Sequence, residues 1–287
     1  MAKTTRSALP GSIQATVRSV LDALKAAGKP STAAVYRRHG VEDEVFGVLT
    51  TDLTALAKRV GVDHEVALAL WNTGVHEARL LATRVADTAR LTQDEVSRWA
   101  GEVRDYVVDD ALAQMTVRLP QAQELALQWI RRSEEFVSAA GWTVIGLLAK
   151  QGRLAESEAR RLLAQIGRTI HDAPNRTRHT MNTALISIGS YLEALRDAAL
   201  ATARVIGPVE VDHGETGCKT PDAAEYIAKM AARGARKKTA RHEAVSRKPT
   251  AVRKTARVGT VSKAAVGGGR AREKPPAARG SRSARKG

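Results

Sequence analysis

The chain has 287 residues, with 46 Lys+Arg against 30 Asp+Glu, a formal net charge of +16, one cysteine, and only two Phe, four Trp and four Tyr. The single Cys218 excludes an intrachain disulfide framework and a cysteine-based zinc module. No apolar run is long enough to span a membrane, and the opening MAKTTRSALPGS has no apolar segment of the kind a signal peptide needs.

Residues 12–204 are expected to be helical almost throughout. Proline is scarce there, and Pro30, Pro120 and Pro174 each sit where a helix would start or stop. In DHEVALALWNTG, Val66, Leu68, Ala69 and Leu70 form an apolar stripe, with Asp63 as N-cap and Gly74 as the stop. The following VHEARLLATRVAD places Val75, Ala78, Leu81, Ala82 and Val85 at helical spacing. Further helices are expected at Asp94–Val103, Asp109–Val117, Gln121–Ile130, Glu134–Ala149, Ala155–Ile170 and Asn175–Val205, joined by short links. No alternating apolar run is long enough for a strand. Short helices, short links and a loose recurrence of helix pairs predict an all-α bundle or α-solenoid.

Charge divides the chain. From Ala231 onward there are 18 Lys+Arg and two acids, Glu243 and Glu273, whereas residues 1–230 carry 28 bases and 28 acids. The tail is built from Ala, Lys, Arg, Gly, Ser, Thr and Pro, and has too little apolar surface to offset its chain entropy. Residues 231–287 are therefore expected to be disordered, as are residues 1–11, around a helical domain at 12–206 and an extension at 207–230. A cationic tail suits nucleic acid, where neutralised phosphates release counterions and affinity is sequence-blind. An anionic membrane surface is disfavoured because no bulky apolar residue is available to insert.

Three catalytic signals fail on chemistry. Gly214-Glu-Thr-Gly-Cys-Lys-Thr220 resembles a phosphate loop, but Cys218 stands where glycine must precede the lysine. His64-Glu65 and His76-Glu77 begin like HExxH, yet Leu68 and Leu80 hold the second histidine's place, so no zinc site is expected and both histidines read as helix starts. Seven scattered histidines without a GxSxG offer no Ser-His-Asp arrangement. No metal or organic cofactor is expected.

The segments YRRHGVEDEVFG (36–47), LAKRVGVDHEVALALWNTGVHEARLLATRVAD (56–87), DEVSRWAGEV around Trp99, and APNRTRHTMNTALISIGS (173–190) resemble the DNA alkylation repair family, the AlkD-like proteins. VEVDHGETGCKTPDAAEYI (209–227) resembles a C-terminal extension of bacterial members. The resemblance implies an α-solenoid of HEAT-like helix pairs whose concave face cradles duplex DNA. It also implies, for active members, excision of cationic N3- or N7-alkylated purines without extruding the base, unlike most glycosylases.

An alkylated purine already carries positive charge, so the site needs a carboxylate to stabilise the cationic sugar, an electron-rich ring beside it, and an arginine on the phosphate. In RDYVVDDALAQM (104–115), Val108, Ala111, Leu112 and Met115 share an apolar helical face. Tyr106 and Asp110, four apart, project together from nearly the opposite side. By the resemblance Asp110 is the catalytic carboxylate and Tyr106 replaces the family's Trp; Asp109, about 100° away, is the fallback. The family's second Trp falls at Thr183 and its phosphate-positioning Arg near Ala139, with Arg131 or Arg132 as possible replacements. Arg37, Arg38, Arg176 and Arg178 are further candidates for DNA contact. Trp71, Trp99, Trp129 and Trp142 read as packing residues and Cys218 as structural. The implied function is an alkylpurine DNA glycosylase, monomeric, cytoplasmic and nucleoid-associated, acting on double-stranded DNA. The alternatives are a catalytically silent scaffold for damaged, branched or nucleoid DNA, and a protein-interaction module.

Overall fold

A computed structural model describes the backbone of residues 11–246. Thirteen α-helices occur among these residues, with no strand. They are α1 (Gly11–Ala27), α2 (Pro30–Arg38), α3 (Thr50–Val60), α4 (His64–Trp71), α5 (His76–Val85), α6 (Gln93–Glu102) and α7 (Tyr106–Thr116). There follow α8 (Ala122–Trp129), α9 (Glu135–Lys150), α10 (Glu156–Thr169), α11 (Asn175–Tyr191), α12 (Arg196–Ile206) and α13 (Ala223–Ser246). The chain divides after His242 into two units. The architecture is an all-α solenoid, the one of the two all-α forms that the resemblance implies.

Local chemistry sets the helix ends. The Asp63 carboxylate accepts the Val66 N–H at 3.0 Å and starts α4. Gly74 adopts a φ of 76° in the turn beyond that helix, a conformation that costs glycine little. A capping box starts α6: Thr92 Oγ1 accepts the Glu95 N–H at 3.2 Å, and the Glu95 carboxylate accepts the Thr92 N–H at 2.9 Å. His64 and His76 are the first residues of α4 and α5.

α5, α7, α9 and α11 pack one on the next to form a continuous layer, while α4 packs on α5, α6 on α7, α8 on α9 and α10 on α11 and α12. α9 is the central member. Its residues Val137, Ala139, Ala140, Trp142, Val144, Ile145, Leu148 and Ala149 are all buried, so it is apolar nearly all round. All four tryptophans are in the core, and Trp71 and Trp99 stack with ring centroids 4.3 Å apart. They are packing residues, worth about 1.5–3 kcal/mol or more each in buried apolar area.

The structure departs from the sequence reading in three places. The single helix expected over Asn175–Val205 is two: a 3-10 turn at Glu193–Leu195 separates α11 from α12. No proline marks the break, and the periodicity runs through it. The turn folds α12 back so that Leu195, Ala199 and Ala203 are buried. The connection 39–49 is long, where a short link was expected, while 207–222, inside the expected extension, has no helix. The boundary placed at 230 falls inside α13, whose helix continues to Ser246. The remaining expectations of disorder, for residues 1–10 and 247–287, lie outside the described residues.

The 39–49 connection is organised by Glu77. Its side chain is fully buried and accepts the backbone N–H groups of Phe46 at 3.0 Å, Gly47 at 2.6 Å and Val48 at 3.1 Å. The tempting His-Glu pair is thus a loop anchor in which the carboxylate replaces the loop's missing backbone partners.

Candidate nucleic-acid interface

The N-terminal ends of α5, α7, α9 and α11 meet along one edge of the layer, and polar side chains join them. Asp105 starts α7: one of its oxygens accepts the N–H groups of Val107 at 2.9 Å and Val108 at 3.0 Å. The other lies 3.3 Å from Nδ1 of the buried His76, which begins α5. This clamp makes Tyr106 the first residue of α7, three residues before the sequence-based start.

The register then follows as expected. Val108, Leu112 and Met115 are buried, Ala111 half-buried, and Tyr106 and Asp110 lie on the outside. The Asp110 side chain is 52% exposed. Asp109 is fully buried, and neither of its carboxyl oxygens has a hydrogen-bond partner.

Arg176, in the first turn of α11, ties these groups together. Its Nη2 donates to Asp110 Oδ1 at 2.6 Å, and its Nε lies 3.6 Å from Asp109 Oδ2. Its guanidinium sits over the Tyr106 ring, 5.0 Å from the centroid. The Arg176 backbone N–H donates to Glu135 of α9 at 2.5 Å, and Thr177 Oγ1 donates to the Glu135 carbonyl at 3.0 Å. The Tyr106 hydroxyl is hydrogen-bonded to Nδ1 of His39, at the end of α2.

Burial pushes the Asp109 carboxyl well above the usual aspartate range, with Arg176 opposing and Asp110 reinforcing the shift. Burial also raises the Tyr106 phenol, reinforced by the nearby Cys218. His179, one turn beyond Arg176, is lowered to about 4 by burial, then by Arg176 and His213.

The candidate arginines separate into distinct environments. Arg37 and Arg38 are exposed at the end of α2, and Arg37 donates to the Val41 carbonyl at 2.6 Å. Arg131 and Arg132 are exposed between α8 and α9, where Arg132 pairs with Glu134. The cation beside Asp110 is Arg176. Arg178 is committed to backbone carbonyls, of Glu210 and Ala173, both at 3.0 Å. Ala139 is fully buried in α9, and Thr183 is exposed on α11 with its hydroxyl donating to the His179 carbonyl at 3.0 Å. The structure brings Tyr106, Asp110 and Arg176 of the candidate residues together, and adds His39 and His179 beside them; no spacing signal links residues 66 positions apart.

The site holds a carboxylate pair, one shared cation and one phenol ring. No group of three metal-ligating side chains occurs among the described residues. No described helix is long and apolar enough to cross a membrane.

A family model described as DNA alkylation repair enzyme matches residues 20–238. An uncharacterized protein of Listeria innocua is 28% identical over 212 residues, covering 72% of this chain and 93% of its own. An uncharacterized protein of Listeria monocytogenes matches with the same identity and coverage, 28%, 72% and 93%. A solved structure is similar at a TM-score of 0.71 with 29% sequence identity, covering 76% of this chain and 94% of that one. It comes from a family described as related to the HEAT-like repeat DNA glycosylases with affinity for branched DNA structures. With the family model spanning most of the chain and the helix pairs stacked in the same way, this protein belongs to the DNA alkylation repair enzyme family and has its HEAT-like repeat fold.

Proposed function

We propose that the protein binds DNA through the edge carrying Tyr106, Asp110 and Arg176, prefers branched over simple duplex structures, and does not excise bases. One observation carries this reading: Arg176 already neutralises the carboxylate that a glycosylase would use. A cationic sugar is stabilised by a carboxylate whose charge is available to it. Here Asp110 is bonded to a guanidinium at 2.6 Å, and the second carboxyl, Asp109, is sealed from solvent. The positions where active relatives are expected to carry an aromatic ring and a phosphate arginine hold Thr183 and the buried Ala139. The structural relative with affinity for branched DNA supports the preferred substrate. The Lys/Arg-rich residues beyond Ser246 add sequence-blind phosphate contacts, which fits the protein to the nucleoid.

The glycosylase reading retains one point in its favour, the Tyr106–Asp110 pair projecting outward at the expected spacing. Single-turnover release of 7-methylpurine from duplex DNA separates the two, run beside anisotropy titrations with a four-way junction and its linear duplex. The expected result is no release above the spontaneous rate, and junction affinity about tenfold or more above duplex. Asp110→Asn is expected to bind DNA more tightly, because it frees the positive charge of Arg176 for phosphates. Base release that disappears in Asp110→Asn would establish the enzyme instead.

A further inference from the structure

The opposite edge of the layer, at the C-terminal ends of its helices, carries a row of arginines. Arg84 lies in the last turn of α5, and Arg118 and Arg153 follow the ends of α7 and α9. Arg118 donates to the Thr83 carbonyl at 3.1 Å, 35 residues before it. Arg153 donates to the Val117 carbonyl at 2.6 Å, 36 residues before it. The same contact is thus made twice, one helix pair apart, and it sets each guanidinium against the end of the preceding inner helix. Carbonyls at a helix C-terminus attract a cation, which gives the row a structural reason to exist.

These contacts leave most of the row's charge unspent. A guanidinium has five N–H donors. Arg118 spends one on Thr83, and Arg84 makes a single long hydrogen bond, to the Leu80 carbonyl at 3.5 Å. Arg79, Arg90 and Arg161 each have a carboxylate partner. Among the described residues, Arg84, Arg118 and Arg153 hydrogen-bond to backbone carbonyls and one glutamine, with no carboxylate. Arg84 is half-buried, and burial lowers its pKa from the ordinary value, with the Tyr36 phenol opposing.

Arg84 and Arg118 also share a pocket of about 420 Å³ between α5 and α7, lined besides by Thr83, Ala111, Gln114 and Met115. None of these is acidic. Gln114 stands one turn beyond Asp110 on α7, and both are exposed. The pocket therefore lies on the same side of α7 as the Tyr106–Asp110 pair, with Arg118 about 12 Å further along the helix.

We propose that Arg84 and Arg118, with the Gln114 amide, form a phosphate-binding pocket that holds one backbone phosphate of DNA, and that Arg153 supplies a further contact one repeat on. Packed helices stand about 8–10 Å apart, so the step from Arg118 to Arg153 matches about three base steps along a duplex. The proposal rests on the DNA reading for where the phosphate comes from, and not for whether the pocket takes one.

The salt dependence of four-way-junction binding by the full chain tests the DNA contact. In Arg84→Gln/Arg118→Gln the slope of log affinity against log salt is expected to fall by about 0.9, the value for one phosphate, and affinity at low salt by about tenfold. Arg153→Gln removes a similar increment, Arg118→Lys keeps most of the slope, and Arg161→Gln leaves it unchanged. A lowered melting temperature with an unaltered slope would reduce the row to a structural device and overturn the pocket. Should the double variant fold poorly, the wild-type protein decides: inorganic pyrophosphate is expected to shift the Nε–H resonances of Arg84 and Arg118 in a saturable way, and not that of Arg161. Shifts no larger at Arg84 and Arg118 than at Arg161 would also overturn the pocket. Absence of DNA binding by the wild type would sink the reading of the previous section, while the pyrophosphate titration still decides whether the pocket holds phosphate.

Discussion

Glu77 and Asp109 are both fully buried carboxyls in the first turns of adjacent helices, α5 and α7, and the fold treats them in opposite ways. Glu77 is satisfied by three consecutive backbone N–H groups and binds the 39–49 connection to the layer. Asp109 accepts no hydrogen bond, and its nearest cation, Arg176 at 3.6 Å, is engaged with Asp110. A buried carboxyl hydrogen-bonded at both oxygens is part of the architecture. One left without a hydrogen bond, with a shared cation at 3.6 Å, marks a place where the fold retains a cost, and such places cluster at functional sites.

That contrast is sharpest in stability. Glu77→Ala strips three N–H groups of their acceptor, at about 1–3 kcal/mol each, so it is expected to be the most destabilising of these changes, at about 3 kcal/mol or more in total. Urea unfolding measures it; a loss below about 1 kcal/mol would mean water replaces the carboxylate.

Asp109→Asn should behave the other way and reveal itself through pH. The Asp109 pKa is raised in the folded state, so the folded protein holds this proton after the unfolded chain has released it. Stability then falls as pH rises from the ordinary aspartate pKa toward the raised value. Asp109→Asn removes that slope, and is expected to be more stable than wild type near pH 7 and equal to it near pH 4. A variant less stable than wild type at neutral pH would show that the Asp109 charge is needed by Arg176.

The smallest effect belongs to His179. Its pKa is lowered from 6.5 to about 4, so the unfolded chain gains the proton first as pH falls. Stability is lost between about pH 6.5 and 4, with Arg176 and His213 facing the ring. His179→Asn is expected to flatten this part of the melting-temperature profile. An unchanged profile would mean that solvent reaches the ring.

The sequence carried the helices and the outward pair because both depend on neighbours a few residues apart. Asp63 caps α4 and Gly74 ends its turn by local backbone chemistry. Tyr106 and Asp110 face outward because Val108, Leu112 and Met115 face inward, which helical periodicity alone dictates. Even the end of α11 escaped this logic, since the turn at Glu193–Leu195 is set by where α12 finds its core and not by any breaker residue.

What the tertiary structure decided is the identity of each group's partner. Arg176 and Asp110 are 66 residues apart, Glu77 and Phe46 31, and Asn175 and Asp212 37. Composition and spacing marked these side chains as charged or polar, without saying whether a carboxylate would face a sugar, a backbone loop or an arginine. Stacking the inner helices brings their first turns to one edge. In a solenoid, periodicity along the chain builds each repeat, while the chemistry at the edge arises from residues that meet only when the repeats stack.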